Sequence, residues 1–550
     1  MSMSPSDGRS TFSSVAVAGN QFPRRTLFWS LAGIFAAQLV LLVIAAWNNR
    51  DLLNADEVSY LRIASYYAHG QTHLMVSGYW GPLLSWLIAP FILFGLPPLV
   101  TGRVAMCISA VVILAGAAAL FHNLRFPRPV LLLSCAIVAL TSIGWSVSQI
   151  TPDLMLSGFV ALAISEMVRE EWVQGRAVPL RAGCWWALAY FTKAVAFPLA
   201  FLASLGLASA WILTRASTPR SVLRSLGWTL LGTLLVCAPW FTVLSVKYGM
   251  LTFGTSGPLN HAIVGPPDVE RYHPFGVTFH HPETGRLTSW EDPAPALYHQ
   301  WSPFHSSDYA AYQLQLIFSN LVTELLLLKS LDLVGLGLLA LCFALALRPG
   351  VGVIRQQRWR WLVVPVICLT LIYSPVFAGE QRFFYPVFAI LLGLAMGALL
   401  RVTEAPGLRR LQLLGLTLVT VCFAGPGLVQ LRPALAGIDD PASRCAEQLA
   451  NKLRAAGLEG PIAGSAPLNG CRTGLYVAYL MGQPWFGDKP GASADEFAGS
   501  NARIILVKRN QSIAADLAES TKFRNLDQKL FGSSEAAAQF PLIAFERVSQ

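Results

Sequence analysis

The chain has 550 residues, of which 54% are hydrophobic and only 13% charged, with a formal net charge of +10. An ordinary soluble domain carries about 25% charge, so this composition excludes a water-soluble globule, a disordered chain and a small disulfide-stapled domain. Apolar stretches of roughly 15 to 25 residues recur from Leu27 to Leu431, each long enough to cross a hydrocarbon core of about 30 Å as a helix, which leaves enzyme, transporter and channel open.

In chain order, residues 1–26 read as a polar, disordered arm. Eleven spans follow, near 27–47, 99–121, 130–150, 152–168, 183–197, 198–213, 226–246, 330–347, 361–377, 385–400 and 411–431. The pair from Gly183 to Leu213 is short for two helices, and Lys193 with Pro198 marks the turn, which predicts a polar notch there. Two long connections interrupt the spans, 48–98 and 247–329. Within them, residues 55–69, 80–94 and 309–328 read as helices lying in the membrane interface. From 432 to 550 the composition becomes that of a soluble protein. A helix starting at Asp440-Pro441, a strand at 461–465, a helix at 473–481, a strand at 502–508, a helix near 513–520 and a last strand at 542–546 predict a small α/β domain. The predicted fold is therefore an all-α polytopic membrane domain, 27–431, followed by that α/β domain.

The basic residues are sorted by connection. Five short ones (122–129, 169–182, 214–224, 348–360 and 401–410) hold 15 Arg in 56 residues, whereas the two long ones hold 6 Lys and Arg in 134. The positive-inside rule then places the short connections in the cytoplasm and the long ones, with the C-terminal domain, outside. Topology accounts for the positive charge, and no nucleic-acid partner is expected. Cys445 and Cys471 both fall in the outer domain, where an oxidising compartment permits a disulfide.

Ionisable residues at span ends are costly near lipid, so those on the outer side are the functional candidates. They are Asp56 and Glu57 after the first span, Asp153 at the start of the fourth, Lys193 at the notch, and Glu380 with Arg382 before the tenth. Phosphate is matched by Lys and bidentate Arg, and a hydroxyl nucleophile by a carboxylate within hydrogen-bond reach. A lipid-linked phosphosugar meeting an acceptor hydroxyl has both needs.

The order of ADEVSYL after the first span, Gly102-Arg103, TPDLMLSGF, AYFTKAVAFPL and GEQRFFYPVF resembles the GT-C membrane glycosyltransferases that use polyprenyl-phosphate sugars, a class including protein O-mannosyltransferases and lipid A aminoarabinose transferases. The resemblance covers about residues 25–400. It implies Asp56 as the essential acid with Glu57 beside it, Asp153 as a second acid, and Lys193 and Arg382 as cations for the lipid phosphate, with Arg103 and Tyr385 as further contacts to that head group. It also implies a bacterial cytoplasmic membrane, inversion at the anomeric carbon, and an envelope glycolipid, polysaccharide or protein as acceptor. One departure stands out. Aminoarabinose transferases carry Lys-Pro-Pro where this chain reads Trp80-Gly81-Pro82, which argues against that sugar as donor.

The second long connection holds six of the nine histidines, His261, His273, His280, His281, His299 and His305, in no recognisable zinc spacing, and reads as a lid. Some enzymes of the resembled class use a divalent cation, and Asp56 with Asp153 are the residues that would hold it. The alternative to a transferase is a transporter or flippase for a lipid-linked or anionic solute. Transporters commonly carry internal repeats with ionisable groups near mid-membrane, and neither is evident here.

Overall fold

The structure, a computed structural model, describes residues 24–269, 278–293, 300–328, 335, 337–341, 358–376, 379–402, 409–465 and 472–548. Two thirds of the expected span at 330–347 lies outside them. Apolar length decides which helices can cross a membrane. Among the described residues seven are long and apolar enough, including α1 (Arg24–Asn48), α4 (Pro98–Asn123), α5 (Arg128–Ser148), α8 (Ala196–Leu213) and α9 (Pro219–Tyr248). The other two lie at Gln381–Arg401, which contains most of the helix Tyr385–Val402, and at 412–455, which contains most of the helix Arg409–Ala436. The helices α2 (Ala55–Ala68) and α3 (Pro82–Leu93) fill the first long connection. With 12 residues, α3 is only about 18 Å long, too short to span.

Two bundle helices are shorter than a bilayer crossing. They are α6 (Asp153–Met167) with 15 residues and α7 (Ala177–Thr192) with 16, roughly 23 Å each. Small residues let them pack tightly. A side chain on Gly116 would collide with the carbonyl of Gly158, so α4 and α6 cross with their backbones close together. The ends of α6 and α7 differ in charge. Asp153 and Lys193 occupy one end, while at the other Arg181 donates to Glu166 at 2.7 Å, and Arg358 and Arg125 both reach Glu170.

Beyond α9 come α10 (Ser256–Ile263) and α11 (Ser307–Leu327), the latter with Leu314, Phe318, Val322 and Leu325 exposed along one stripe. The short α12 (Val363–Tyr373), α13 (Tyr385–Val402) and α14 (Arg409–Ala436) complete the bundle. The core is continuous through α4, α5, α6, α7 and α13, with Trp172, Trp186, Trp211 and Phe121 fully buried.

The C-terminal domain begins with α15 (Pro441–Ala455), whose first turn is capped by the Asp440 carboxylate accepting from Ala442 and Ser443. Its strands are β1 (Ile462–Gly464), β2 (Trp485–Asp488), β3 (Ile504–Lys508), β4 (Phe523–Asn525) and β5 (Leu542–Arg547), in the order β2-β1-β3-β5-β4. The first three are parallel, and β5 is antiparallel to β3 and β4. The helix α16 (Thr473–Met481) crosses over from β1 to β2. The sheet confirms the α/β expectation and adds β2 and β4, which are four and three residues long and too short to show a periodic pattern. Cys471 lies outside the described residues.

Candidate active site

Four of the predicted site residues are placed by the ends of helices. Asp56 sits in the first turn of α2, where the Asn54 side chain accepts its backbone N–H at 3.0 Å. Asp153 opens α6, and Lys193 follows α7 at the point where the chain turns into α8. That turn is held against α3, since a side chain on Gly81 would collide with the carbonyl of Thr192. Arg382 lies in the one-turn 3-10 segment Gln381–Phe384 that leads into α13.

These four separate pieces of chain meet in one cluster. The Arg382 guanidinium donates to Asp56 Oδ2 at 2.5 Å, pairs with Glu380 at 2.6 Å and lies 4.0 Å from Asp153. Lys193 Nζ donates to Asp153 Oδ1 at 2.7 Å and sits 4.0 Å above the Phe383 ring. Asp153 is 2% exposed, Asp56 14% and Lys193 25%, so the group is sheltered but reachable. Burial alone would raise the Asp56 carboxyl. The Arg382 guanidinium, with smaller help from Arg472 and the Trp290 indole, outweighs it and holds Asp56 below the ordinary carboxylate range.

The remaining predicted residues occupy two other places. Glu57 and Arg103 form a separate buried pair, 3.7 Å apart, with Glu57 also accepting from Ile150 N and Arg103 donating to the carbonyls of Leu52 and Val147. Arg103 thus faces Glu57 and backbone, not the Lys193–Arg382 cluster. Burial lifts the Glu57 carboxyl to about 7, against the opposing pull of Arg103. Tyr385 stacks on Trp145 with ring centroids 3.8 Å apart. Both rings line a cavity of about 400 Å³ that borders Arg382 and Glu380 and presents Ser148, Gln149, Thr151, Gln381 and Gln430.

Two contributors were missed in the sequence. Trp290 donates from Nε1 to Asp56 Oδ1 at 3.3 Å, and Arg472, at the start of α16, adds positive potential at Asp56. The capping box Thr288-Ser289-Trp290-Glu291 marks the start of a helical turn and says nothing of where the Trp290 indole reaches. Nothing in the sequence pointed from Arg472 to the site.

A divalent cation does not fit this donor set. Asp56 and Asp153 are each taken up by a fixed cation, and among the described residues no three His, Cys, Asp or Glu side chains gather as metal ligands. His261 instead stacks on Trp301 and bonds Gln313, and His281 stacks on Phe486; His273 and His299 lie outside the described residues.

No protein-family model matches the sequence, and no curated protein matches it either. Solved structures do. ArnT from Cupriavidus metallidurans, in a crystal structure bound to undecaprenyl phosphate, aligns over 95% of this chain and 98% of its own at 16% identity, with a TM-score of 0.55. Its apo form gives 0.54 at 17% identity. The apo oligosaccharyltransferase of Archaeoglobus fulgidus aligns over 94% of this chain and 72% of its own at 11% identity, with a TM-score of 0.50. The chain therefore has the fold of the GT-C membrane glycosyltransferases.

Proposed function

We propose that the chain transfers a sugar from a polyprenyl-phosphate donor to a hydroxyl of an envelope acceptor, with inversion at the anomeric carbon. The observation that carries this reading is the Arg382 guanidinium, which reaches Asp56, Glu380 and Asp153 at once while Lys193 holds Asp153. The fold shared with ArnT, whose structure holds undecaprenyl phosphate, supports it.

The donor phosphate is a diester with one negative charge, and it leaves as a monoester that gains another. Cations beside it therefore bind the transition state more tightly than the ground state, which is what lowers a barrier. Arg382 and Lys193 are those cations. A phosphate entering beside them competes with Asp56 and Asp153 for their hydrogen bonds. Drawing Arg382 from Asp56 removes the positive partner that offsets burial, so donor binding makes Asp56 a stronger base. Asp56 then takes the proton of the acceptor hydroxyl as its oxygen bonds to the anomeric carbon. The carbon–oxygen bond to the phosphate breaks on the opposite face, and its electron pair departs with the polyprenyl phosphate.

The cavity bordering Arg382 suits the sugar itself. Its amides and hydroxyls are uncharged donors and acceptors, and Gln149 Oε1 is buried with no hydrogen bond among the described residues. In this reading the site end of α6 and α7 faces outward from a bacterial cytoplasmic membrane, since the opposite end carries the Arg-rich connections, and residues 432–550 form a domain on the outer side. Transport finds no support in the arrangement, because the charges of α6 and α7 gather at their two ends rather than midway.

The test compares envelope glycolipids and glycoproteins by mass spectrometry in cells with the chain, without it, and with Asp56→Ala. One glycosylated species should vanish in both of the latter while the variant inserts normally. Full modification by Asp56→Ala would sink the assignment.

A further inference from the structure

The second long connection continues past the bundle onto the C-terminal sheet. Strand β2 is an edge of that sheet, and an edge offers unpaired N–H and C=O groups to any extended segment. Here the segment is the chain's own loop. His280 N donates to Phe486 O at 2.7 Å, Trp485 N donates to Leu287 O at 2.6 Å, and Thr288 pairs with Trp485 as a parallel bridge. Phe279 packs on Phe497, and His281 stacks on Phe486 with centroids 4.1 Å apart.

From this edge the loop turns into the 3-10 segment Ser289–Glu291. Thr288 Oγ1 accepts from Trp290 N at 3.3 Å, and the Glu291 carboxylate accepts from Leu287 N at 2.9 Å, Thr288 N at 3.2 Å and the Tyr66 hydroxyl at 2.7 Å. Glu291 is fully buried, with Arg62 and Arg286 within 3.8 Å. The Trp290 backbone is held in turn, its carbonyl accepting from Trp80 Nε1 at 2.7 Å. Its indole N–H donates to Asp56 Oδ1, the oxygen opposite the one that Arg382 holds.

We propose that the C-terminal sheet is a positioning element for the Asp56 carboxylate, acting through Trp290. Strand β2 fixes the 279–291 segment, and the indole of that segment anchors Oδ1. This rests on Asp56 being the base of the transfer. It explains how Asp56 stays aimed once the donor phosphate draws Arg382 away: Oδ1 remains anchored while Oδ2 is freed to take the proton. Trp290 is thus a positioning residue, and the domain that carries β2 belongs to the catalytic machinery.

The groups facing Asp56 are Arg382 before α13, Arg472 at α16, Glu57 on its own helix, and the phenols of Tyr60 and Tyr79, whose ionisation Asp56 opposes. Trp290→Phe substitutes none of these, keeps an aromatic ring against Tyr79 and deletes the N–H. The full chain in lipid nanodiscs is labelled with a water-soluble carbodiimide, to which the protonated carboxyl adds as an O-acylisourea, and an amine that displaces the urea to leave an amide; Asp56 labelling is followed against pH by peptide mapping. Losing one donor to the ionised form should move the labelling midpoint up by about half a pH unit or more. His280→Pro, which removes an edge hydrogen bond far from the site, should move it in the same direction. In the wild-type chain the Trp485 amide should exchange slowly with deuterium. An unchanged Asp56 midpoint in Trp290→Phe, or a Trp485 amide exchanging as fast as an unpaired edge, overturns the proposal. Neither measurement needs turnover, so failure of the transferase reading would show separately, as wild-type chain that modifies no envelope species.

Discussion

Arg382 donates to Asp56 at 2.5 Å although 326 positions separate them, and the same guanidinium also pairs with Glu380 and approaches Asp153. Only a planar group with several fixed donors meets three carboxylates at once. Arg382→Lys keeps the charge and loses that geometry, so transfer should fall about 100-fold, within the range for removing one preorganised donor. The acid limb of the pH profile should also move upward, because Asp56 keeps a facing charge but loses the guanidinium hydrogen bond that helps hold it below the ordinary range. Initial rates measured from about pH 4 to 8, a range that brackets the ordinary carboxylate values, would check both. A variant with wild-type rate and profile would show that Arg382 serves packing alone.

Lys193 and Asp153 form an ion pair whose carboxylate is 2% exposed, and breaking such a pair from the cation side leaves a buried charge stranded, at a cost of about 3–5 kcal/mol. Lys193→Met should therefore lower the melting temperature in detergent as well as abolish transfer. Adding Asp153→Asn removes the stranded carboxylate and should restore the melting temperature without restoring transfer. Recovery of transfer in the double variant would mean that the pair is structural only. The two readouts separate stability from phosphate binding because the second substitution repairs only the first.

How much of this was legible in the sequence depends on the kind of signal. Apolar length and the asymmetry of Arg placement are local, and they located the helices and put Asp56, Asp153, Lys193 and Arg382 at one end of the bundle before any contact was known. The pairing of Glu57 with Arg103 was not legible, because it depends on the packing of α2 against α4 and not on span ends. Trp290 was harder still. An indole in a loop is usually buried packing, and its role depends on three partners from distant parts of the chain: Asp56, Trp80 and the β2 edge. Short strands such as β4, with one buried residue in three, leave no pattern to read.

The cavity beside Arg382 allows the sugar to be separated from its lipid carrier. Ser148 lines it, its hydroxyl bonding the Trp145 carbonyl within its own helix and the Tyr385 hydroxyl across the cavity wall. Ser148→Phe fills much of the cavity. Donor turnover should drop at least tenfold while binding of sugar-free undecaprenyl phosphate, followed by tryptophan fluorescence, stays near wild type. Equal loss of both would place the lipid phosphate, rather than the sugar, in this cavity.

Glu57 sets a pH dependence of its own. Burial raises its carboxyl from 4.5 to about 7, with Arg103 and the Ile150 N–H pulling the other way. Between those two values the folded chain keeps a proton that the unfolded chain has already lost. Stability must then fall as pH rises from 4.5 to about 7 and level off above, at about 1.4 kcal/mol for each pH unit crossed in that window. Glu57→Gln stays neutral in both states and loses this contribution. The difference in melting temperature between about pH 5 and pH 8 should therefore be smaller in Glu57→Gln than in the wild type. An identical difference would mean that Glu57 is ionised throughout and that the Arg103 charge, not burial, governs it.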